Sequence, residues 1–193
     1  MKPERLVQHS PGYHPGIMVN KKPTRPCKGR AIGEGEVVSQ SLGQIYIHVI
    51  FSTKDRVRIL AYPDLRENLN AYSAGVLNKL DCHAIVVGSV ADHMHILFRL
   101  SRTASVSDVV GTVKKRSSAW IKEQKRDTKD PYLVKFSWQA GYGAFSVSAS
   151  KLEAVRTYIE NQEEHHHRRG FQEEYRLFLK RHGVAFDERY VWD

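Results

Sequence analysis

Two histidines stand one residue apart in the segment DHMHILFRL, residues 92–100, whose composition otherwise predicts a buried β-strand. Because side chains alternate between the two faces of a strand, His93 and His95 are expected on the same face. Met94 points to the other face, where it can join Leu97 in an apolar layer. Two imidazoles on one face can hold a metal ion. Taken alone, the two histidines could equally well be polar members of a half-exposed strand.

Further groups for such a site are expected from the segment SKLEAVRTYIENQEEHHH, residues 150–167, which has the pattern of a helix. Tyr158 and Gln162 are four residues apart and therefore lie one above the other on the same side of that helix. The apolar stripe of the helix consists of Leu152, Val155 and Ile159. At about 100° per residue, Tyr158 lies roughly 90° from the centre of this stripe, so it is expected to be presented rather than buried.

The remaining apolar patterns predict the elements that position these groups. Strands are predicted at 45–53, 82–90, 93–100 and 138–148, and helices at 63–80, 106–124, 150–167 and 171–182. Ser150 is expected to cap the third helix, and Gly183 to end the last one. The order β-α-β-β-α-β predicts an α+β, ferredoxin-like fold: a four-stranded antiparallel sheet with two helices on one face and additional C-terminal helices. The other face of the sheet is expected to be free for a site.

Composition indicates one folded domain, residues 39–193, after a loop-like segment 1–38 that is expected to be disordered. That segment could also serve as a nucleic-acid-binding arm. The formal charge of +9 favours a polyanionic partner, with nucleic acid the leading candidate. Residues 1–38 hold seven Lys/Arg against three Asp/Glu, which leaves 23 against 18 for the remainder. The folded part is therefore only moderately basic.

The absence of certain patterns points to a soluble, cytoplasmic protein. No apolar run approaches the roughly 20 residues that a membrane-spanning helix needs, and the first residues do not resemble a signal sequence. The two cysteines, Cys27 and Cys82, support neither a disulfide framework nor a cysteine-based zinc site. A reducing compartment is expected.

Taken together, the motifs resemble the single-tyrosine HUH transposases of the IS200/IS605 type, which act on single-stranded DNA. The resemblance spans about residues 39–193 and is carried by SQSLGQIYIHVIFSTKDR, by the pair His93 and His95, by WQAGYGAFSVS and by YIENQEEHH. It implies that His93, His95 and the amide oxygen of Gln162 bind Mg²⁺ or Mn²⁺. It also implies that Tyr158 is the nucleophile that forms a 5′-phosphotyrosine and releases a 3′-hydroxyl.

The same resemblance implies a homodimer that acts on hairpin-bearing ends of a mobile element. In the family, the tyrosine helix of one subunit can complete the metal site of the other. Only residues 149–150 separate the predicted fourth strand from the tyrosine helix here, so the sequence leaves open which subunit the helix serves.

Several other residues have two interpretations. Candidate DNA contacts, which a solvated surface explains equally well, are Lys114, Lys115, Arg116, Lys122, Lys125 and Arg126 on the second helix and Arg56 and Arg58 after the first strand. His165–His167 could form a metal tract, but imidazoles at the end of a helix also suit its negative pole, and we favour the second interpretation. His48 could face the site or the core, and its role is unassigned.

An alternative function is a non-catalytic RNA- or single-stranded-DNA-binding module, because RNA-recognition domains share the same order of elements. Such a module needs aromatic side chains on its two central strands. Residues 82–90 offer none and residues 93–100 offer only Phe98. Tyr142 could stack on a base, whereas Trp138 and Phe145 are expected in the core. A domesticated relative of the transposases, which keeps the site but serves the host genome, is a further alternative.

Overall fold

The computed structural model describes residues 42–124, 131–166, 170–189 and 191–192. The predicted extension 1–38 lies outside these residues, as do Cys27, Lys125 and Arg126. Among the helices of the described segments, none combines the length and the apolar character required to cross a bilayer.

The described chain forms one antiparallel sheet with helices on both faces. The strands are β1 (Tyr46–Ser52), β2 (His83–Ser89), β3 (His93–Arg99) and β4 (Gly143–Val147). The helices are α1 (Pro63–Lys79), α2 (Val106–Glu123), α3 (Pro131–Val134), α4 (Leu152–Glu160), α5 (Gln162–His166) and α6 (Phe171–Arg181). The strand order β2-β3-β1-β4 is that of the ferredoxin-like plan, so the predicted fold class is confirmed.

One face of the sheet, the apolar face, packs against α1 and α2. It carries Ile47, Val49, Phe51, Met94, Ile96 and Phe98, which join the buried stripes of both helices in one core. Leu97 is buried but lies outside this core, so the expected layer of Met94 with Leu97 is wrong. Alternation along β3 places Leu97 on the same face as His93 and His95.

The opposite face, called here the histidine face, was expected to be free, but helices cover it. The apolar stripe of α6, formed by Phe171, Tyr175 and Leu179, packs on Ile50 and Phe145 of the sheet in a second core. Apolar residues spaced four apart form one side of a helix, and this side is stable only against another apolar surface. Ile50 and Phe145 provide that surface beside the histidines. Helix α4 covers the same face over β2 and β3.

Two predicted elements are shorter than expected. The fourth strand begins at Gly143, and Trp138 makes only an isolated bridge with Thr53. The predicted helix 150–167 breaks at Asn161, which separates α4 from α5. Ser150 does not cap α4, because it lies inside a short 3-10 turn. Gly183, with φ of 64°, ends α6 as predicted.

Candidate active site

The histidine pair lies at the centre of the histidine face. His93 and His95 are completely buried on β3, with ring centroids 5.1 Å apart. Helix α6 brings Glu174 against both: its Oε2 lies 3.8 Å from His93 Nε2, and its Oε1 lies 3.9 Å from His95 Nε2. One ligand atom from each of the three residues lies within 4.8 Å of the other two. Two imidazoles and a carboxylate therefore converge on one point.

Gln162 joins this cluster from the start of α5. Its side chain is 2% exposed, and its Nε2 donates a hydrogen bond of 3.3 Å to Glu174 Oε1. Burial lowers the pKa of His93, against the upward effects of Asp92 and of a hydrogen bond with Gln162. The amide of Gln162 thus lies between the His93 imidazole and the Glu174 carboxylate.

Each histidine has a polar partner on its far side. Asp92 Oδ1 lies 2.7 Å from His93 Nδ1, and Arg56 holds the other carboxylate oxygen of Asp92 at 3.2 Å. Although burial opposes it, hydrogen bonds from His93 and Arg56 hold the pKa of Asp92 below its usual range. A proton on Nδ1 of His93 leaves the Nε2 lone pair directed at the cluster, which is the common arrangement behind metal-binding histidines.

His48, unassigned from the sequence, lies on the histidine face as the partner of His95. Its Nε2 is 3.0 Å from His95 Nδ1, and burial together with nearby His182 lowers the pKa of His48 to about 3. His48 is therefore a neutral imidazole at physiological pH. It can accept a hydrogen bond from His95, which fixes the orientation of that ring.

Tyr158 reaches the cluster from α4. Its half-buried ring has its centroid 6.0 Å from that of His95 and 5.7 Å from that of Phe178. It borders a cavity of about 970 Å³, which is also lined by His48, Phe145, Lys151, Phe178, Arg181 and His182. A space of this size can accept a nucleotide next to the tyrosine.

Two glycines allow α4 and α6 to approach the sheet beside the histidines. Strand pairing aligns Gly88, His95, Ile50 and Gly143 in one row across the histidine face. A Cβ at Gly88 would lie 2.6 Å from Ile159 Cγ2, and one at Gly143 would lie 2.7 Å from Tyr175 Cε2. The close packing of α4 and α6 therefore requires glycine, which has no side chain, at these positions in the outer strands β2 and β4.

This donor set fits a divalent cation. Imidazole nitrogens, a carboxylate and an amide oxygen are all accepted metal ligands, and bonds to such ions are about 2.1 Å long. Two ligands on opposite sides of an ion are then about 4.2 Å apart, so separations of 3.8 and 3.9 Å between Glu174 and the two histidines leave room for one ion.

Sequence reasoning missed Glu174, although the sequence contains a signal for it. Glu174 lies on the apolar stripe of α6, three residues after Phe171 and four before Phe178, and is only 8% exposed. A carboxylate on such a stripe requires a compensating partner. Its neighbour Glu173 is exposed, as expected for a surface position.

The candidate DNA contacts separate into distinct groups. Lys114 is half-buried, because its Nζ donates to the carbonyls of residues 139–141 at 2.6–3.2 Å, and burial lowers its pKa to about 8. The expectation that it belongs to an exposed basic surface is wrong. Lys115 and Arg116 are exposed, but α2 lies on the apolar face, across the sheet from the histidines. Arg58 is exposed after β1.

The remaining predictions concern side chains elsewhere. Arg56, besides its pair with Asp92, lies with its guanidinium 5.8 Å from the ring centroid of Phe171. Phe145 and Trp138 are buried as predicted, and Tyr142 is 36% exposed. The side chains of His165–His167 lie outside the described part of the structure.

The alternative of an RNA-recognition module finds no support in these positions. The central strands of the observed sheet are β1 and β3, and not the predicted hairpin strands β2 and β3. Their aromatic residues Phe51 and Phe98 are buried on the apolar face under α1 and α2, and Tyr46, on the histidine face, is half-buried. The histidine face, which such a module would offer to bases, is covered by α4 and α6.

Comparisons with known proteins agree with one another. A family model described as "Transposase IS200 like" matches residues 41–162. The chain is 25% identical over 131 residues to the transposases for insertion sequence element IS200 of Salmonella typhimurium and Salmonella typhi, which covers 68% of this chain and 85% of each relative. The matched range 41–162 includes the histidine pair, Tyr158 and Gln162, whereas α6 lies beyond it.

Two solved structures are also similar. A candidate transposase from Deinococcus radiodurans R1 superimposes with a TM-score of 0.51 at 20% identity, covering 66% of this chain and 97% of that chain. This likeness agrees with the fold described above. The REP-associated tyrosine transposase bound to a REP hairpin gives a TM-score of 0.45 at 12% identity, with 68% of this chain and 73% of that chain covered.

Proposed function

We propose that this chain, which belongs to the IS200-like transposase family, cleaves and rejoins single-stranded DNA through a covalent bond to Tyr158. Membership of the family makes it a transposase, an enzyme that binds and recombines DNA. The observation that carries the finer proposal is the packing of the Tyr158 ring beside His95, at the edge of a cavity that Glu174 also lines.

The proposed metal ligands are His93, His95 and Gln162, as the resemblance implies. A bound Mg²⁺ or Mn²⁺ would withdraw charge from the scissile phosphate and orient it for in-line attack. The protein holds the two imidazoles for this purpose through Asp92 and His48, which contact their far nitrogens. Such outer partners fix the tautomer and the ring orientation of metal-binding histidines.

Cleavage and rejoining need no nucleotide cofactor. The Tyr158 phenol releases its proton to solvent as its oxygen attacks the phosphorus. The bond from phosphorus to the 3′ oxygen breaks, and this oxygen takes up a proton to become a 3′-hydroxyl. The product is a 5′-phosphotyrosine. Attack by a 3′-hydroxyl on that bond reverses the step, because the phosphotyrosine retains the energy of the broken linkage.

Positively charged side chains around the cavity favour the binding of single-stranded DNA, which is an anion. Lys151 and Arg181 line it together with Tyr158, and neither was selected from the sequence. Lysine and arginine neutralise backbone phosphates without regard to base sequence. We therefore place the phosphates that flank the scissile bond near Lys151 and Arg181, with Lys115, Arg116 and Arg58 as more distant candidate contacts.

The proposed substrate is a hairpin-bearing end of single-stranded DNA, and the proposed assembly is a homodimer, both as expected for the family. Within this chain, α4 packs on its own β2 and β3, beside the histidines of the same chain. This arrangement favours completion of the site in cis.

A covalent adduct tests the nucleophile. The full chain would be incubated with end-labelled single-stranded oligonucleotides and Mn²⁺, and then analysed on a denaturing gel. Tyr158→Phe should abolish the adduct and leave DNA binding largely intact, because only the hydroxyl is removed. Tyr142→Phe, a matched change at an exposed tyrosine, should keep the adduct. An adduct that persists in Tyr158→Phe would disprove the assignment.

A further inference from the structure

We propose that Glu174, from helix α6, is a further ligand of the metal ion, in addition to His93, His95 and Gln162. This inference rests on the metal site of the proposed function and adds a residue that lies outside the matched range 41–162. The carboxylate would make the C-terminal helix a working part of the catalytic centre instead of a cover over it.

The first support is geometric. The two oxygens of Glu174 lie toward different histidines, Oε2 at 3.8 Å from His93 Nε2 and Oε1 at 3.9 Å from His95 Nε2. These separations exceed hydrogen-bonding distance, yet they are the distances expected between two ligands of one ion. Gln162 donates to Oε1 at 3.3 Å, which holds the carboxylate in this orientation.

The second support is the way in which α6 is seated. Phe171, Tyr175 and Leu179 anchor the helix on the sheet, and Gly143 leaves the space into which the Tyr175 ring fits. This anchoring positions Glu174 over the histidine pair. A buried carboxylate there costs free energy unless a cation or strong donors compensate for its lost hydration.

A carboxylate ligand changes the chemistry of the site. His93, His95 and Gln162 are neutral, so an ion held by them alone retains its full charge. Glu174 would offset one unit of that charge and raise the affinity of the site. Imidazole ligands favour transition metals over Mg²⁺, so the completed set should bind Mn²⁺ more tightly than Mg²⁺.

Mn²⁺ binding to the full chain tests the inference without any use of DNA. The free ion is titrated and followed by its electron paramagnetic resonance signal. Glu174→Gln, which keeps the shape of the side chain, should weaken Mn²⁺ binding at least about tenfold, the lower limit for disturbing even an outer partner of a metal ligand. Glu173→Gln, an equal loss of charge on the exposed side of the same helix, should bind like the native chain.

Two further variants keep the test decisive. His95→Ala should abolish binding and so reports the site itself. Glu174→Asp retains the carboxylate and should bind more tightly than Glu174→Gln, and circular dichroism would verify that each variant is folded. Should Glu174→Gln fail to fold, the Mn²⁺ affinity of Glu174→Asp relative to Glu173→Gln decides. Reduced affinity supports the ligand role, because the shorter side chain withdraws the carboxylate from the ion, and native-like affinity would overturn it.

The outcomes separate this inference from the proposed function. Native Mn²⁺ affinity in folded Glu174→Gln, combined with loss of binding in His95→Ala, would overturn the role of Glu174 and leave strand cleavage standing. Absence of a DNA adduct in the native chain, combined with the expected Mn²⁺ results, would overturn strand cleavage and leave Glu174 standing. Failure of the native chain to bind Mn²⁺ would overturn both.

Discussion

The two faces of the sheet are both buried, but they are built differently. On the apolar face, aliphatic and aromatic side chains of β1 and β3 meet matching stripes of α1 and α2. On the histidine face, the same two strands present His48, His93 and His95, which are enclosed by α4, α5 and α6. Alternation along β1 and β3 therefore supplies one face for stability and one for the candidate site.

The buried polar groups of the histidine face lower the stability of the protein relative to an apolar face of the same size. Buried polar groups lower the free energy of unfolding unless they have partners, whereas buried apolar groups raise it. The histidine face concentrates three imidazoles, an amide and a carboxylate in a small volume. Its helices are held by the smaller core around Ile50 and Phe145. The apolar face must therefore supply most of the stability.

Removing a large side chain from the apolar face should produce the largest effect on stability. Phe51 is completely buried and contacts Trp138 edge to face at 4.8 Å between ring centroids. Phe51→Ala should lower the free energy of unfolding by about 3–5 kcal/mol, because it leaves a cavity in a close-packed core. Chemical denaturation followed by circular dichroism measures this. A loss below about 1 kcal/mol would contradict the claim that the apolar face supplies most of the stability.

A methyl group at Gly88 should disturb the histidine face. The added Cβ would lie 2.8 Å from the backbone oxygen of Ile159, which cannot rotate away. Gly88→Ala should cost about 1–3 kcal/mol through overpacking and should displace α4, with loss of the Tyr158 adduct.

Gly75→Ala is the control for that substitution. Apart from its chain neighbours and the adjacent backbone of α1, no heavy atom of the described residues lies within 4 Å of a Cβ at Gly75. This change should therefore stabilise the chain by up to about 1 kcal/mol and keep the adduct. Full activity in Gly88→Ala would indicate that Tyr158 works from a different position, such as on a second subunit.

Apart from the control substitutions, the smallest effect is expected at Lys114, which joins α2 to the loop before β4. Lys114→Met keeps the aliphatic stem but removes the ammonium bonded to three carbonyls. It should lower the free energy of unfolding by only about 1–2 kcal/mol, because water can form hydrogen bonds to the carbonyls that lose the ammonium. Thermal melting compares it with Lys115→Met, an exposed neighbour whose change should be within about 0.5 kcal/mol. Equal melting temperatures would show that the ammonium contributes nothing to the loop.

The sequence was sufficient for the elements with regular patterns. Strands β1 to β3 and helices α1 and α2 lie within one or two residues of their predicted bounds, because period-2 and period-3.6 patterns depend only on local burial. Strand β4 was overextended, because the loop before it is held by Lys114 and not by strand pairing. The break at Asn161 likewise lacks a proline or glycine signal.

The site was predictable only in part. The spacing of His93 and His95 places both on one face, and β3 does so. The closeness of Tyr158 and Gln162 to that pair follows from the docking of α4 on Gly88, a tertiary contact that no spacing contains. Glu174 needed the same kind of information, since its role depends on which face of the sheet α6 covers. The ligand and nucleophile assignments stay predictions until the variants are measured.

The ion pair of Arg66 on α1 with Glu163 on α5 has a consequence for assembly. These helices lie on opposite faces, and β2 is an outer strand, so the pair spans the outer border of β2. Ser89 and Asn70, bonded at 2.7 Å, lie along the same border. To extend the sheet, a neighbouring molecule would have to pair with β2, and it could do so only after the contacts Arg66–Glu163 and Ser89–Asn70 are broken. Continuous sheets between copies are therefore disfavoured at that side, which protects the protein from edge-to-edge aggregation.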